Sequence, residues 1–400
     1  MNGPRRAQRL AIVVPTTGEH DSRTRRIAAS VAARGHAVTV LSRAGAGLPA
    51  AEELDGYRIL RVGRAAERRL PGPVRVLDRA LATRGHARAA RAVDAGADLY
   101  HAMAYMGLPV ALDLAGRAGA PAIYDARDLY ADARSMARLP GLARRVALAR
   151  ERAWVRRAAA VVTVNAALAD VLASRLGVAR PVVVMNCPPR WTPPEAPERR
   201  FHARLSLSPG ARVVLYHGGL VADRGIEVLL AAAPALPHDA VVVLMGFGPL
   251  RDSFARWAAE PGLAGRVHVL PAVAPRDVLA WVASADVAVM VNQPATLNER
   301  LSTPNKLFEA LAAGVPVVSS DFVERRRIVV DDPDGPLGRV CDPTDPAAVA
   351  AAVRDLLALD EPGRAGLRAR ILCAAHERYA WEAQLEVLLA LYGRVTGAAW

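Results

Sequence analysis

The sequence predicts an α/β chain of two doubly wound, Rossmann-like domains facing a cleft. Three observations carry this. Short apolar runs alternate with Ala/Arg-rich helical stretches through most of the 400 residues. Apolar runs separated by helices are the mark of a parallel sheet covered on both faces. The alternation stops at one proline-rich interval and then restarts, and the chain is too long for a single core.

In chain order, Ile12–Pro15, Ala37–Leu41, Ala122–Tyr124, Val161–Val164 and Val182–Met185 read as buried strands. Thr24–Arg34 and Ala166–Leu176 read as helices, with Gly35 just past the end of the first, where a left-handed residue closes a helix. "NCPPRWTPPEAPERR", 186 to 200, cannot sit in a helix or a central strand and reads as an interdomain linker. Strands then resume at Val213–His217, Val241–Gly246, Val267–Leu270, Val287–Val291 and Val315–Ser319. The expected division is 1–187 for the first domain, 188–205 for the linker and 206–375 for the second domain. A C-terminal amphipathic helix within 376–400 would cross back to the first.

Composition narrows the function. Hydrophobic residues at 52% and charged residues at 23% exclude a disordered chain. Three cysteines without a C-x-x-C pair argue against a disulfide scaffold or a structural zinc site. The N-terminus runs into a strand without a signal-peptide pattern, and no apolar run spans a bilayer, so a cytoplasmic protein is expected. The net charge of +13 suggests anionic partners. Aromatic content of 5% offers no stacking platform for nucleic acid, which is not expected as a partner. The Arg-rich stretch 133–160 is read either as a solvated face or as a helix lying on an acidic membrane surface, with Leu142, Val146, Ala149 and Trp154 as its apolar side.

Three segments carry chemistry. Lys306, in "LSTPNKLFEALAAGVPVVSSD", is the one Lys among 52 Lys plus Arg. Ser302 or Thr303 is expected to cap a helix with Pro304 at its first position. Lys306 then lies in the first turn, where a cation is unfavourable unless an anion is near. Glu309, one turn on, either pairs with Lys306 at the surface or accepts the hydroxyls of a ribose. In "VVLYHGGLVADRGIEVLL", Gly218 and Gly219 would let a ligand approach the backbone, and Arg224 would stand at the start of a helix beginning near Asp223. In "VVVLMGFGPLRDSF", Gly246 and Gly248 follow a buried strand, a weak nucleotide signal by itself.

Together these segments resemble the family 4 glycosyltransferases, retaining nucleotide-sugar-dependent enzymes of the GT-B fold. "YHGGLVADRG", "GFGPLRDSF", "VHVLPAVAPRDVLAWVASADVAV" and "STPNKLFEALAAGVPVVSSD" carry the resemblance, with weaker support from "DSRTRRIAASVAARGHAVTVL" and "APAIYDARDLY". The resemblance implies that Arg224 and Lys306 meet the donor diphosphate, with Asn305 beside them and Glu309 on the ribose. Gly246, Phe247, Gly248, Ala272 and Val273 would border the base. Gly18, His101, Arg127, Asn298 and Glu299 would lie toward the donor sugar or acceptor. It further implies transfer of a sugar from a UDP- or GDP-linked donor to a hydroxyl of a lipid-linked glycan, a polysaccharide or a small metabolite. No cofactor and no metal are expected, and "DDPDG", 331 to 335, reads as a surface turn.

Two positions depart from the family pattern. Eight residues before Glu309, where many members carry a sugar-contacting glutamate, stands Leu301, and Arg127 stands where relatives often have His. Both leave the sugar undefined. A non-catalytic or epimerase-type protein that binds a nucleotide sugar is the alternative.

Overall fold

The computed structural model describes residues 6–19, 21–63, 74–137, 140–195 and 198–400. The chain forms two units: one comprises residues up to Val184 together with Leu385–Trp400, the other Met185–Gln384.

The first unit is built on an eight-stranded sheet. Its strands are β1 (Arg9–Val13), β2 (Ala37–Arg43), β3 (Ala51–Leu54), β4 (Tyr57–Val62), β5 (Leu99–Met103), β6 (Ala122–Asp125), β7 (Ala160–Thr163) and β8 (Val182–Val183). Their order is β3-β4-β2-β1-β5-β6-β7-β8, and only β3 runs antiparallel to its neighbour. Strand order reverses between β1 and β5, so the loops following those two strands flank a switch point, where doubly wound sheets bind ligands. Asp21 caps the helix Ser22–Ala33 by accepting from the Thr24 amide at 3.1 Å, two residues earlier than the apolar periodicity suggested.

The second unit carries six parallel strands, β9 (Arg212–Gly219), β10 (Ala240–Phe247), β11 (Val267–Pro271), β12 (Val287–Met290), β13 (Val317–Ser320) and β14 (Gly338–Cys341), in the order β11-β10-β9-β12-β13-β14. Its switch point lies between β9 and β12. Valine-rich β9, β10 and β12 are buried along nearly their whole length, as strands covered on both faces must be.

Two boundaries differ from expectation. The proline-rich interval is part of the second unit and not a free linker: Cys187 and Phe201 are fully buried in that unit's core, and Arg200–Leu205 is helical. Residues 196 and 197 within it lie outside the described set. The C-terminal segment is also two helices, Glu361–Glu377 and Trp381–Thr396, broken at Arg378–Ala380. From Leu385 onward the second of these belongs to the first unit. There Leu385, Leu388, Leu389, Leu391 and Tyr392 are buried, each such Leu contributing roughly 1.5–3 kcal/mol.

In the 133–160 stretch, Arg138 and Leu139 lie outside the described residues. The helix Gly141–Val155 turns Leu142 and Val146 outward, 75% and 48% exposed, with Arg145, Ala149, Arg150 and Arg152 also exposed. Trp154 does not join that face; its ring packs 5.2 Å from Tyr105. Glu151 anchors the opposite side, accepting the Tyr124 hydroxyl at 2.7 Å. Burial pushes the Glu151 carboxyl up to about 7, against the opposing pull of that hydroxyl and of Arg175.

Candidate active site

In the second unit, the ends of β9 and β12 and the helix Asn305–Ala312 bring four charged side chains together. The turn after β9 positions Arg224. Asp223 and Gly225 on either side of it have φ of 64° and 72°, and the helix begins only at Ile226. Arg224 therefore stands in the turn, not in the helix as expected. Gly225 is required there, because a Cβ would fall 1.9 Å from the Val291 carbonyl oxygen at the end of the neighbouring strand.

Arg224 donates to Glu299 Oε2 at 3.4 Å, and the same oxygen accepts from Asn292 Nδ2 at 3.4 Å. Glu299 belongs to the short helix Leu297–Leu301, capped by Thr296. Its neighbour Asn298 is buried, as is Leu301, so of these positions Glu299 is the one that reaches Arg224. Glu299, two residues upstream of Leu301 and out of register with Glu309, is thus paired with Arg224.

Lys306 is the second residue of its helix, and Pro304 is the N-cap rather than the first helical residue. Its Nζ lies 3.9 Å from the centroid of the Tyr216 ring, a cation–π geometry. A Cβ on Gly218 would sit 3.5 Å from that amine, an ordinary contact, and it is the φ of 116° that favours glycine there. Burial pushes the Lys306 amine down to about 7; Arg224 and Arg325 push the same way, while Glu309 and Glu299 oppose them. Glu309 Oε2 lies 2.9 Å from His217 Nε2. It faces an imidazole as well as Lys306, and its side chain stays 29% exposed. Asn305 is exposed and accepts from Asn186 Nδ2 at 2.8 Å.

The glycines of "GFG" both lie against backbone: a Cβ on Gly248 would fall 2.3 Å from the Leu220 carbonyl oxygen. A Cβ on Gly246 would fall 1.8 Å from the Gly218 carbonyl oxygen on the paired strand, so Gly246 serves the close approach of β10 to β9. Between them, Phe247 is 69% exposed. Ala272 is exposed and Val273 half-buried, in the loop just after β11. Phe247 ends β10 and Ala272 and Val273 follow β11, so all three stand at carboxyl ends of strands, the edge at which parallel sheets bind ligands.

In the first unit, Gly18 sits in the loop after β1 with φ of 75°, its carbonyl accepting from the Asp21 amide at 3.4 Å. Arg127, in the loop after β6, donates to Asp21 at 2.9 Å. Although burial opposes it, Asp21 and nearby acidic groups hold the Arg127 guanidinium charged. His101 does not line an open surface. It is fully buried, with Nδ1 2.6 Å from the Tyr392 hydroxyl and Nε2 3.3 Å from Asp125. Asp125 also accepts from Arg23 at 2.7 Å, and Arg23 donates to the Val184 carbonyl at 2.8 Å. Against the cost of burial, Arg23 holds the Asp125 carboxyl well below the usual carboxylate range, with help from His101 and Arg127.

The acids of "DDPDG" are engaged structurally. Asp332 accepts from Arg378 at 2.7 Å and from Tyr379 at 3.0 Å, and Asp334 accepts from Arg378 at 2.7 Å. Among the described residues one group of metal-capable side chains lies close together, Asp334, Cys373 and Glu377, all exposed.

Residues 211–359 match the family described as glycosyl transferases group 1, and residues 18–189 match the glycosyl transferase 4-like domain. The chain belongs to the group 1 glycosyltransferases. It is 31% identical to a D-inositol 3-phosphate glycosyltransferase of Xylanimonas cellulosilytica over 48% of this chain and 45% of that protein. It is 34% identical to a phosphatidyl-myo-inositol mannosyltransferase of Mycolicibacterium smegmatis over 47% of this chain and 46% of that protein. The matches thus span less than half the length of these curated relatives. Sucrose-phosphate synthase from Thermosynechococcus elongatus shares the fold with a TM-score of 0.79 at 20% identity, covering 98% of this chain and 100% of the other. An Anabaena protein solved in complex with UDP and glucose superposes with a TM-score of 0.71 at 17% identity, over 97% of this chain and 100% of the other. The two-domain GT-B fold of the family is therefore the fold of this chain.

Sequence reasoning did not find His217, Asn292, Arg325, Arg23, Asp125 or Tyr392. His217 carried a usable signal, standing at a strand end directly before the glycine pair. Arg23 and Arg325 were hidden by the abundance of arginine, which makes any single one uninformative.

Proposed function

We propose that this chain transfers a sugar with retention from a nucleoside-diphosphate sugar to an acceptor hydroxyl. One observation carries the reading: Arg224 and Lys306 converge at the β9/β12 switch point beside an exposed helix start, with Glu309 half-exposed one turn on. Departure of the diphosphate leaves an oxocarbenium-like sugar and builds negative charge on the bridging oxygen. Arg224, Lys306 and the amides at the helix start would stabilise that charge. An arriving anion also favours the charged form of Lys306, whose amine is poised to gain a proton. Glu309, steadied by His217, would take the ribose hydroxyls. No protein base is assigned: the departing phosphate would accept the acceptor proton, and no metal is required by this scheme.

UDP and GDP donors are the favoured nucleotides. UDP is the nucleotide in the Anabaena structure, and a mannosyltransferase similar to this chain is named as GDP-mannose-dependent. Inositol-containing acceptors, free or lipid-linked, are the leading acceptor class, because several similar proteins are named for them. The helix Gly141–Val155 supports contact with an acidic membrane surface, since its exposed Leu142 and Val146 are flanked by exposed arginines. No helix among the described residues is long and apolar enough to cross a membrane.

The test is a panel of UDP-, GDP- and dTDP-sugars read by thermal shift and then by nucleotide release with candidate acceptors. Lys306→Ala and Glu309→Ala, properly folded, are expected to lose turnover; wild-type rates in both overturn the assignment. Co-sedimentation with anionic liposomes is expected to be salt-sensitive and weakened by Val146→Asp.

A further inference from the structure

Arg325 lies on the helix Val323–Val329, following β13, and is fully buried. A buried guanidinium ordinarily has a carboxylate partner, because an uncompensated interior charge is costly. Among the described residues none forms an ion pair with it. Its partners are neutral: Nε donates to the Ser302 carbonyl at 3.2 Å, one terminal nitrogen to the Met290 carbonyl at 3.3 Å and Ser320 Oγ at 3.0 Å, and the other to Ser302 Oγ at 3.3 Å. Its central carbon stacks 4.9 Å from the Phe322 ring. Two of these bonds grip Ser302, the residue that opens the turn leading through Pro304 into the Lys306 helix.

The local charges do not balance. Lys306 feels Arg224 and Arg325 as like charges, and Glu299 and Glu309 as opposite ones. Three cations face two carboxylates, and Glu309 also faces His217. With Lys306 protonated the surplus is one positive charge, in a site where the Arg224, Glu299 and Glu309 side chains stay 32%, 23% and 29% exposed.

We propose that Arg325 is a positioning residue for the donor diphosphate: it holds the Ser302–Pro304 turn so that the helix start meets the anion, and its own charge is compensated by that anion. The inference rests on the nucleotide reading above. Arg325 need not touch the phosphates. It acts through the turn and through the field: burial and Arg224 oppose its charge, and within the protein the Glu299 carboxylate favours it.

The experiment measures binding of UDP, GDP and inorganic pyrophosphate to wild type, Arg325→Gln, Arg325→Lys and Ser302→Ala across pH 5 to 9. In Arg325→Gln, affinity for pyrophosphate is expected to fall about tenfold, from loss of a positive charge near the anion and of the grip on Ser302. Losing a neighbouring cation also lets the Lys306 amine hold its proton to higher pH, so the alkaline fall in affinity moves upward. That limb reports the field of Arg325 alone; the positioning is read from the affinity loss in Ser302→Ala at unchanged melting temperature. Arg325→Lys is expected to recover part of the affinity. If Arg325→Gln does not fold, Ser302→Ala carries the test, with about threefold weaker pyrophosphate binding at unchanged melting temperature. Binding by the wild type with an unmoved alkaline limb in Arg325→Gln, or wild-type affinity in Ser302→Ala, overturns this inference alone. A wild type that binds neither nucleotide overturns the nucleotide reading with it.

Discussion

The two switch points of this chain are both rich in charge, yet they are built on opposite plans. In the first unit, Arg23, Asp125, His101 and Tyr392 answer one another within a fully buried cluster, and Arg127 is answered by Asp21. In the second, Arg224, Arg325 and a protonated Lys306 outnumber Glu299 and Glu309. The first cluster is enclosed and answered mostly from within, although Arg23 Nη2 and Asp125 Oδ1 stay buried without a hydrogen-bond partner. A cluster left positive requires something from outside. Charge density alone therefore does not tell the two clusters apart.

That contrast can be broken at either end. The largest effect is expected from Asp125→Ala, which strands Arg23 in the interior and should cost about 3–5 kcal/mol in urea unfolding. Nucleotide affinity of the folded protein should be unchanged; a large loss would mean that the first cluster also serves the ligand. Lys306→Ala should do the reverse. Turnover should fall about 10²–10³-fold, the size seen when a charge-stabilising donor is removed, while the melting temperature holds or rises.

Titration separates the units by sign. Glu151 in the first unit is raised to about 7 from an ordinary 4.5. The folded state then holds a proton that the unfolded state has released. Its stabilising contribution is full below about 4.5 and is lost as pH rises through 7, with a slope of at most about 1.4 kcal/mol per pH unit. Lys306 in the second unit is depressed to about 7 from 10.5, so its unfolded form holds the extra proton and stability rises with pH across that window. Glu151→Gln should remove the first slope and Lys306→Met the second, each followed by thermal melts from pH 4 to 10. Equal slopes in variant and wild type would refute the assignment.

The smallest effect is expected from Tyr392→Phe. It deletes the hydroxyl that meets His101 and should cost about 1 kcal/mol, read as faster amide exchange across 385–396 with nucleotide binding intact.

Much of the fold was legible in the chain. Ten apolar runs became strands with ends shifted by a few residues, because continuous Val/Ile/Leu runs have little other use in a chain of this length. β3, β4, β5 and β14 escaped that reading: β3, β4 and β14 have partly exposed or mixed burial, and the fully buried β5, LYHAM, is no continuous Val/Ile/Leu run. The glycines of "GFG" looked like a ligand loop, yet Gly246 is held small by a facing backbone, a constraint no local pattern displays. His101 looked like a cleft residue and is a core one, because a strand end can point its side chain inward as readily as outward.

The sequence by itself determined the fold class, the alternation of strands and helices, and Lys306 as the position to watch. Those are local properties: hydrophobic period, turn chemistry and composition. Tertiary structure decided which charges balance. Glu299 meets Arg224 across 75 residues, Arg23 meets Asp125 across 102, and His101 meets Tyr392 across 291. A carboxylate three ångströms from a cation and one thirty ångströms away are written with the same letter, and Coulomb energy depends on the distance.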